Sequence, residues 1–243
     1  MRAPAFWNET GIASTLLARV APTIVAKNRP AGAALARRQG ASVVIMDDGF
    51  QNPSLAKNFS LLVLDGQRGI GNGRVFPAGP LRAPFDVQLE RAQALIVVGE
   101  ITQAAPVLAK AEAARIPVFR ARLEPDLQAI TALTANEVLA FAGIADPQKF
   151  FATLAAEGIR IGASRAFPDH HRYGARDAAR LLAEADRHGL VPVTTEKDLA
   201  RMTGDAPVAG LAARAQAVPV ELVLDRNAEF QALVLSAVRT QGS

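Results

Sequence analysis

The sequence predicts an α/β fold, with a mostly parallel sheet covered by helices. Two observations predict it. Short apolar runs alternate along the chain with helix-length segments rich in Ala, Leu and Arg, which is the pattern of strands joined by crossover helices. One of those runs, Val43-Val44-Ile45-Met46, leads straight into Asp47-Asp48-Gly49-Phe50-Gln51. A buried parallel strand reads this way, continuous hydrophobics followed by polar groups at its carboxyl end, and ligands of open α/β sheets bind at that end. With 243 residues, half of them hydrophobic, the chain suits one large domain or two modest ones and can bury a sizeable core.

The elements follow in order. Thr23–Ala26 reads as a weak first strand. Pro30–Gln39 reads as a helix stopped by Gly40, and Ser42–Met46 as the strong strand. Leu61–Leu64, ending in Asp65-Gly66, Ala94–Val98, ending in Gly99, and Val118–Phe119 read as further strands. Residues 120–135 carry few signals and read as a link between two lobes, 1–120 and 121–243. In the second lobe Val138–Ala142 is a strand ending at Gly143. Pro147–Glu157 is a helix with Asp146 as N-cap and Pro147 at its first position. Arg160–Phe167 is extended, Ala175–His188 is an amphipathic helix stopped by Gly189, and Val191–Thr194 is a strand. Residues 219–224 give a last strand and 227–239 a last helix.

Composition narrows the function classes. The chain has no cysteine, which excludes disulfides and thiolate chemistry and fits a reducing compartment. A net charge of +4 and a pI near 9.9 favour anionic partners such as phosphates, nucleic acid or an acidic membrane surface, although an Arg- and Ala-rich composition also follows from a GC-rich genome. One Trp, one Tyr and no basic stripe with interleaved aromatics argue against nucleic acid. No apolar run approaches the ~20 residues of a membrane-spanning helix, and the start of the chain does not read as a secretory signal. Phe6 and Trp7 are either an interfacial membrane contact or aromatics packed on the body.

Four stretches carry the candidate chemistry. Asp47 and Asp48 offer hard oxygen ligands for Mg²⁺, against the alternative of an Asp-Gly turn closing a strand; Phe50-Gln51-Asn52 adds amides able to orient a ligand. The loop Asp65-Gly66-Gln67-Arg68-Gly69-Ile70-Gly71-Asn72-Gly73-Arg74, continuing to Pro77-Ala78-Gly79-Pro80-Leu81-Arg82, reads as an anion cradle or as a long surface loop. In the first reading glycine N–H groups and Arg68, Arg74 and Arg82 clamp phosphate oxygens. Phe167-Pro168-Asp169-His170-His171-Arg172-Tyr173 holds two of the three histidines and the only tyrosine. Adjacent histidines rarely converge on one zinc and no third spaced ligand appears, so one His in proton transfer, oriented by a carboxylate, is preferred over zinc, beside histidines that merely cap the next helix. In Thr194-Thr195-Glu196-Lys197-Asp198, Thr195 caps a helix with Asp198 at N3, and Lys197 is a candidate phosphate contact. A glycine loop ending in Lys-Ser or Lys-Thr is nowhere in the sequence.

Taken together and in order, Met46-Asp47-Asp48-Gly49-Phe50-Gln51, Asp65-Gly66 with Gly71-Asn72-Gly73, Pro77-Ala78-Gly79-Pro80-Leu81-Arg82, Phe167-Pro168-Asp169-His170-His171 and Thr195-Glu196-Lys197-Asp198 resemble the tetraacyldisaccharide 4'-kinase (lipid A 4'-kinase) family. The resemblance runs from about Leu16 to near the C-terminus, and Pro4-Ala5-Phe6-Trp7 is similar to the family's N-terminal segment. It implies an incomplete P-loop-NTPase-like, mostly parallel sheet with a smaller C-terminal α/β lobe. It further implies ATP-dependent phosphorylation of the 4' hydroxyl of the lipid A disaccharide precursor, by a peripheral protein on the cytoplasmic face of the bacterial inner membrane. By position, Asp47 and Asp48 match a Walker-B-like pair serving Mg·ATP, with Gln51 beside them. Arg82 matches an active-site arginine, and His170 a histidine that assists the catalytic base. The chain departs from the family between Trp7 and Leu16. There the first core strand, the Walker loop and the motif carrying the base are expected, yet Gly11-Ile12-Ala13-Ser14 holds no carboxylate and the nearest is Glu9. Phosphoryl transfer is mostly positioning and charge neutralisation. Two functions are therefore expected to compete, a kinase of low turnover and a catalytically inactive module that binds an anionic glycolipid.

Overall fold

The structure, a computed structural model, describes residues 12–239. The aromatic pair Phe6 and Trp7, and Glu9, lie outside the described residues. In chain order the elements are α1 (Ile12–Val20), α2 (Arg29–Arg38), β1 (Leu61–Asp65), α3 (Phe85–Leu89), β2 (Ala94–Val98), α4 (Ala105–Ala113), β3 (Val118–Pro125), α5 (Leu127–Leu133), β4 (Glu137–Ala142), α6 (Pro147–Ala156), β5 (Arg160–Ala166), α7 (Ala175–His188), β6 (Val191–Thr195) and α8 (Glu196–Met202). A short 3₁₀ turn at Ala206–Val208 precedes α9 (Ala209–Arg214), β7 (Gln216–Val218), β8 (Val220–Leu224) and α10 (Asn227–Arg239). The chain forms two compact units. One gathers Ala26–Glu124 and Leu222 onward, and the other gathers the chain up to Val25 with Pro125–Glu221. The last helix thus packs in the same unit as the first strands.

In the unit holding β1, the sheet order is β1-β2-β3-β8, with β1–β2 and β2–β3 parallel. β2 explains why a continuous apolar run belongs here. Alternate side chains point to opposite faces, so Leu95 and Val97 pack with Phe85, Leu89, Val107 and Ala111 from α3 and α4. Ala94 and Ile96 pack with Phe119, and with Phe230 and Leu233 from α10. Both faces are covered, so both sets of side chains are apolar. Phe119 meets Phe230 edge-on at 5.2 Å, and the Arg226 guanidinium lies 4.8 Å from the Phe119 ring.

The two earliest strand expectations are corrected. Neither Thr23–Ala26 nor Ser42–Met46 is a strand, and Val43, Val44 and Ile45 are exposed, Ile45 by 92%. The run has strand composition, but a strand exists only when a neighbour supplies its hydrogen bonds. Among the described residues the sheet stops at β1, whose Val63 is 64% exposed. Residues 120–135 are also more ordered than a link. β3 extends to Pro125, and α5 follows with the Asp126 carboxylate accepting the Ala129 N–H at 2.7 Å. Helix α1 carried no clear signal in the sequence.

In the other unit the sheet order is β5-β4-β6-β7, all parallel. β4 is buried from Val138 to Ala142. Leu139 and Phe141 pack against α7 and α9 through Leu181, Ala185 and Leu211, while Val138, Ala140 and Ala142 pack against Phe150, Phe151 and Leu154 of α6 and Leu133 of α5. Asp146 caps α6 through the Lys149 N–H, and Gly189 ends α7 in the left-handed region with φ 64°. All four strands run the same way, so Gly143, Phe167 and Thr195 emerge together at one carboxyl edge. Among the described residues no helix is long and apolar enough to cross a membrane.

An exposed apolar ribbon and an open sheet edge each favour association. Ile45→Lys is expected to lower the apparent mass seen by light scattering at high protein concentration. The same change should move the thermal midpoint little, since surface changes are worth roughly ±0.5 kcal/mol.

Candidate functional site

The first cluster lies at the acidic tip. One Arg82 guanidinium nitrogen donates to both Asp48 carboxylate oxygens, at 3.0 and 2.9 Å. Asp48 sits at φ 47°, a region an aspartate tolerates better than most residues. Gln51 donates through Nε2 to Gln88 Oε1 at 3.2 Å, and buried Gln88 donates onward to the Ala83 carbonyl at 2.7 Å. Asp48 and Gln51 are therefore tied to one short stretch, from Arg82 just ahead of α3 to Gln88 within it. Asp47 and the Asp48–Arg82 pair are exposed. An exposed pair contributes at most about 1 kcal/mol, so an incoming phosphate or cation competes for these groups at small cost. Two carboxylates open to solvent fit Mg²⁺, which commonly takes one or two carboxylates with phosphate oxygens and water. Among the described residues no group of three or more His, Asp or Glu gathers as a metal site.

The glycine–arginine loop is arranged differently from a phosphate cradle. Its backbone donors are turned inward. The Asp65 carboxylate accepts from the Gln67 and Arg68 N–H groups. The N–H groups of Gly69, Gly71 and Gly73 go to Asp65, Arg68 and Ile70 carbonyls. Asn72 accepts from the Arg74 N–H and donates to the Ala78 carbonyl, while the Phe76 N–H donates to the Leu81 carbonyl and the Leu81 N–H to the Arg74 carbonyl. A Cβ at Gly79 would come within 2.1 Å of the Asn72 side chain and 2.4 Å of the Arg74 carbonyl oxygen, so this closure requires glycine. What the loop offers an anion is arginine side chains rather than N–H groups.

The second cluster lies at the carboxyl edge of the β5-β4-β6-β7 sheet and centres on the Gly143 peptide. Asp198, fully buried, accepts the Gly143 N–H through Oδ2 at 3.0 Å and the Thr195 hydroxyl at 2.9 Å. Its Oδ1 accepts from Arg201 at 2.6 Å, and the same Arg201 nitrogen donates to the Gly143 carbonyl at 2.6 Å. The His170 N–H also donates to that carbonyl, at 3.1 Å. A Cβ at residue 143 would approach His171 Cβ at 3.0 Å and Asp198 Oδ1 at 3.3 Å, so glycine leaves room for the network. Thr195 caps α8 through the Asp198 N–H, as its position predicts. The adjacent histidines diverge. His170 Nδ1 faces the other Arg201 terminal nitrogen at 3.3 Å, while His171 Nε2 meets Asp177 Oδ2 at 3.0 Å. His171 stacks on Phe167 with centroids 4.7 Å apart.

Tyr173 packs edge-on to Phe141, Phe167 and His171. Burial, and then the nearby Asp198 charge, raises its pKa far above the ordinary phenol value, so its hydroxyl stays protonated. The Tyr173 hydroxyl, Thr194 Oγ1 and Arg201 Nε are buried without a hydrogen-bond partner among the described residues. At Asp177 burial alone would raise the pKa. The His171 and Gly174 hydrogen bonds outweigh it and hold the carboxyl below its ordinary 3.8. Arg201 was not singled out in the sequence, while Tyr173 and Gly143 were noted there without a role. The Asp198–Arg201 spacing of three on a helix was the available signal.

Removing Asp198 leaves Arg201 buried and uncompensated, so Asp198→Ala is expected to cost roughly 3–5 kcal/mol in chemical denaturation. Asp177 contributes stability above the unfolded carboxylate range that disappears as pH falls through its lowered folded value. The stability–pH profile of Asp177→Asn, measured below pH 3.8, should therefore be flatter than that of the unchanged chain.

The comparisons with known proteins follow from these motifs. The model describing the tetraacyldisaccharide-1-P 4'-kinase family (LpxK) matches residues 6–239. A tetraacyldisaccharide 4'-kinase of Rhodopseudomonas palustris (strain BisA53) is 52% identical over 231 residues, covering 94% of this chain and 66% of that protein. Its counterpart in Nitrobacter winogradskyi is 46% identical over 230 residues, covering 95% and 68%. A crystal structure of the "apo" form of LpxK from Aquifex aeolicus in complex with ATP is 25% identical, with a TM-score of 0.65 over 94% of this chain and 69% of that one. The chain spans about two thirds of the length of the relatives it matches. With a match from residue 6 to residue 239 and a mixed α/β fold shared with a solved member, this chain belongs to the tetraacyldisaccharide 4'-kinase family.

Proposed function

We propose that this chain acts in transfer of the γ-phosphoryl group of ATP to the 4' hydroxyl of the tetraacyldisaccharide 1-phosphate precursor of lipid A. The observation that carries this reading is the exposed Asp47–Asp48 tip joined to Arg82, inside a stretch matched by a kinase family. In it, Asp47 and Asp48 hold Mg²⁺ against nucleotide phosphates, and Gln51 orients the same ligand. Arg82 leaves Asp48 to neutralise charge on the transferred group. His170 assists the catalytic base at the acceptor hydroxyl. The lipid substrate places the protein at the cytoplasmic face of the inner membrane as a peripheral protein.

The residues in hand do not fit a nucleotide cradle. The sequence contains no Walker lysine, and the glycine loop spends its N–H groups on itself. The same observation favours a second reading, a module that holds the anionic glycolipid without transfer.

One experiment separates the two. The chain is incubated with Mg·ATP and the disaccharide 1-phosphate in mixed micelles, and 4'-phosphate is measured by mass spectrometry beside the Rhodopseudomonas relative. Loss of one preorganised donor costs about 10²–10³ in rate. Turnover is expected to be lower than the relative's by at least that factor, and to fall a further ~10²-fold in His170→Ala. No transfer, with precursor-dependent flotation on liposomes retained, would assign the chain to the binding reading.

A further inference from the structure

We propose that Arg201, anchored by Asp198, is a positioning residue that fixes the tautomer of His170. The inference rests on the proposed role of His170 and sharpens it. A guanidinium only donates hydrogen bonds, so the ring nitrogen that faces Arg201 at 3.3 Å must present a lone pair. When the ring is neutral its proton is then on the other nitrogen. That nitrogen, Nε2, lies 3.8 Å from Asp169 Oδ2 on a side chain that is 80% exposed. His170 therefore offers an N–H outward. In this arrangement it orients an acceptor oxygen and does not itself accept the hydroxyl proton, because its lone pair is taken by Arg201.

The arrangement is held from three sides. The backbone of His170 sits at φ 58°, with its N–H directed to the Gly143 carbonyl and to Asp169 Oδ1. Arg201 has little freedom, since its side chain is 8% exposed and one terminal nitrogen already bridges Asp198 and Gly143. Asp198 is in turn fixed by the Gly143 N–H and the Thr195 hydroxyl. The ring thus reads the position of a buried ion pair rather than that of a mobile surface cation. Lysine at 201 keeps the charge and the donor-only character but lacks the planar fork that reaches Asp198, Gly143 and His170 together.

The test is a long-range proton–nitrogen spectrum of the chain labelled at histidine, recorded near pH ~8.5, where imidazoles are neutral. It needs neither nucleotide nor lipid. In the unchanged chain the Nε2–H form of His170 is expected to dominate. In Arg201→Met the Nε2–H to Nδ1–H ratio should fall on the order of tenfold, the size expected for losing a hydrogen bond to a charged group. Arg201→Lys should restore part of it, while His188, exposed at the end of α7, stays unchanged as the internal reference. An Nδ1–H form dominating in the unchanged chain overturns the inference without any variant. An unchanged ratio in Arg201→Met, with the His188 signal showing that the chain is still folded, overturns it as well, whatever the loss in thermal midpoint from breaking the buried pair. A His170→Ala change without effect on phosphate transfer would remove the functional reading and leave the tautomer result standing.

Discussion

A buried ion pair wrapped around a single peptide group organises the unit that holds β4. Asp198 and Arg201 are one helical turn apart on α8, and between them they engage both the N–H and the C=O of Gly143 at the end of β4. Two charges taken out of water repay their desolvation only when their remaining hydrogen-bonding capacity is used. Here most of it is spent on the strand end, the Thr195 hydroxyl and the His170 ring, with Arg201 Nε left over. The consequence is a carboxyl sheet edge tied to α8 by both groups of one peptide. The strand end is fixed from α8, and the Phe167–Tyr173 stretch is fixed on the strand end.

The other unit carries the opposite kind of chemistry. Its Asp48–Arg82 pair is exposed and weakly held, and the neighbouring loop is closed by its own hydrogen bonds. Such a pair is a poor source of stability and a good exchangeable site, because either member can change partner without leaving a charge unsolvated. The same two residue types, carboxylate and arginine, therefore build a framework in one unit and an exchangeable contact in the other, with burial deciding which.

Much of this was legible in the residues. β2 and α7 were readable to the residue, because the first is apolar throughout and the second ends on a glycine that adopts the left-handed conformation. Asp146 and Thr195 announced their helices through cap chemistry. The Ser42–Met46 run misled for a physical reason. Composition reports a segment's fitness for a sheet, while pairing depends on a neighbour that local sequence does not describe. The Arg201 contact to His170 was illegible because it joins residues on two elements, and only the shared Gly143 peptide brings them together. The glycine loop looked like an anion cradle because glycine content does not say which way the N–H groups point.

The bare ribbon at Val43–Ile45 has a consequence for the life of the chain in a cell. A stretch of β-branched side chains in water, without a hydrogen-bonded neighbour, is the kind of segment that chaperones hold and that proteases clip. A surface laid over that ribbon would remove the exposure without touching either hydrophobic core.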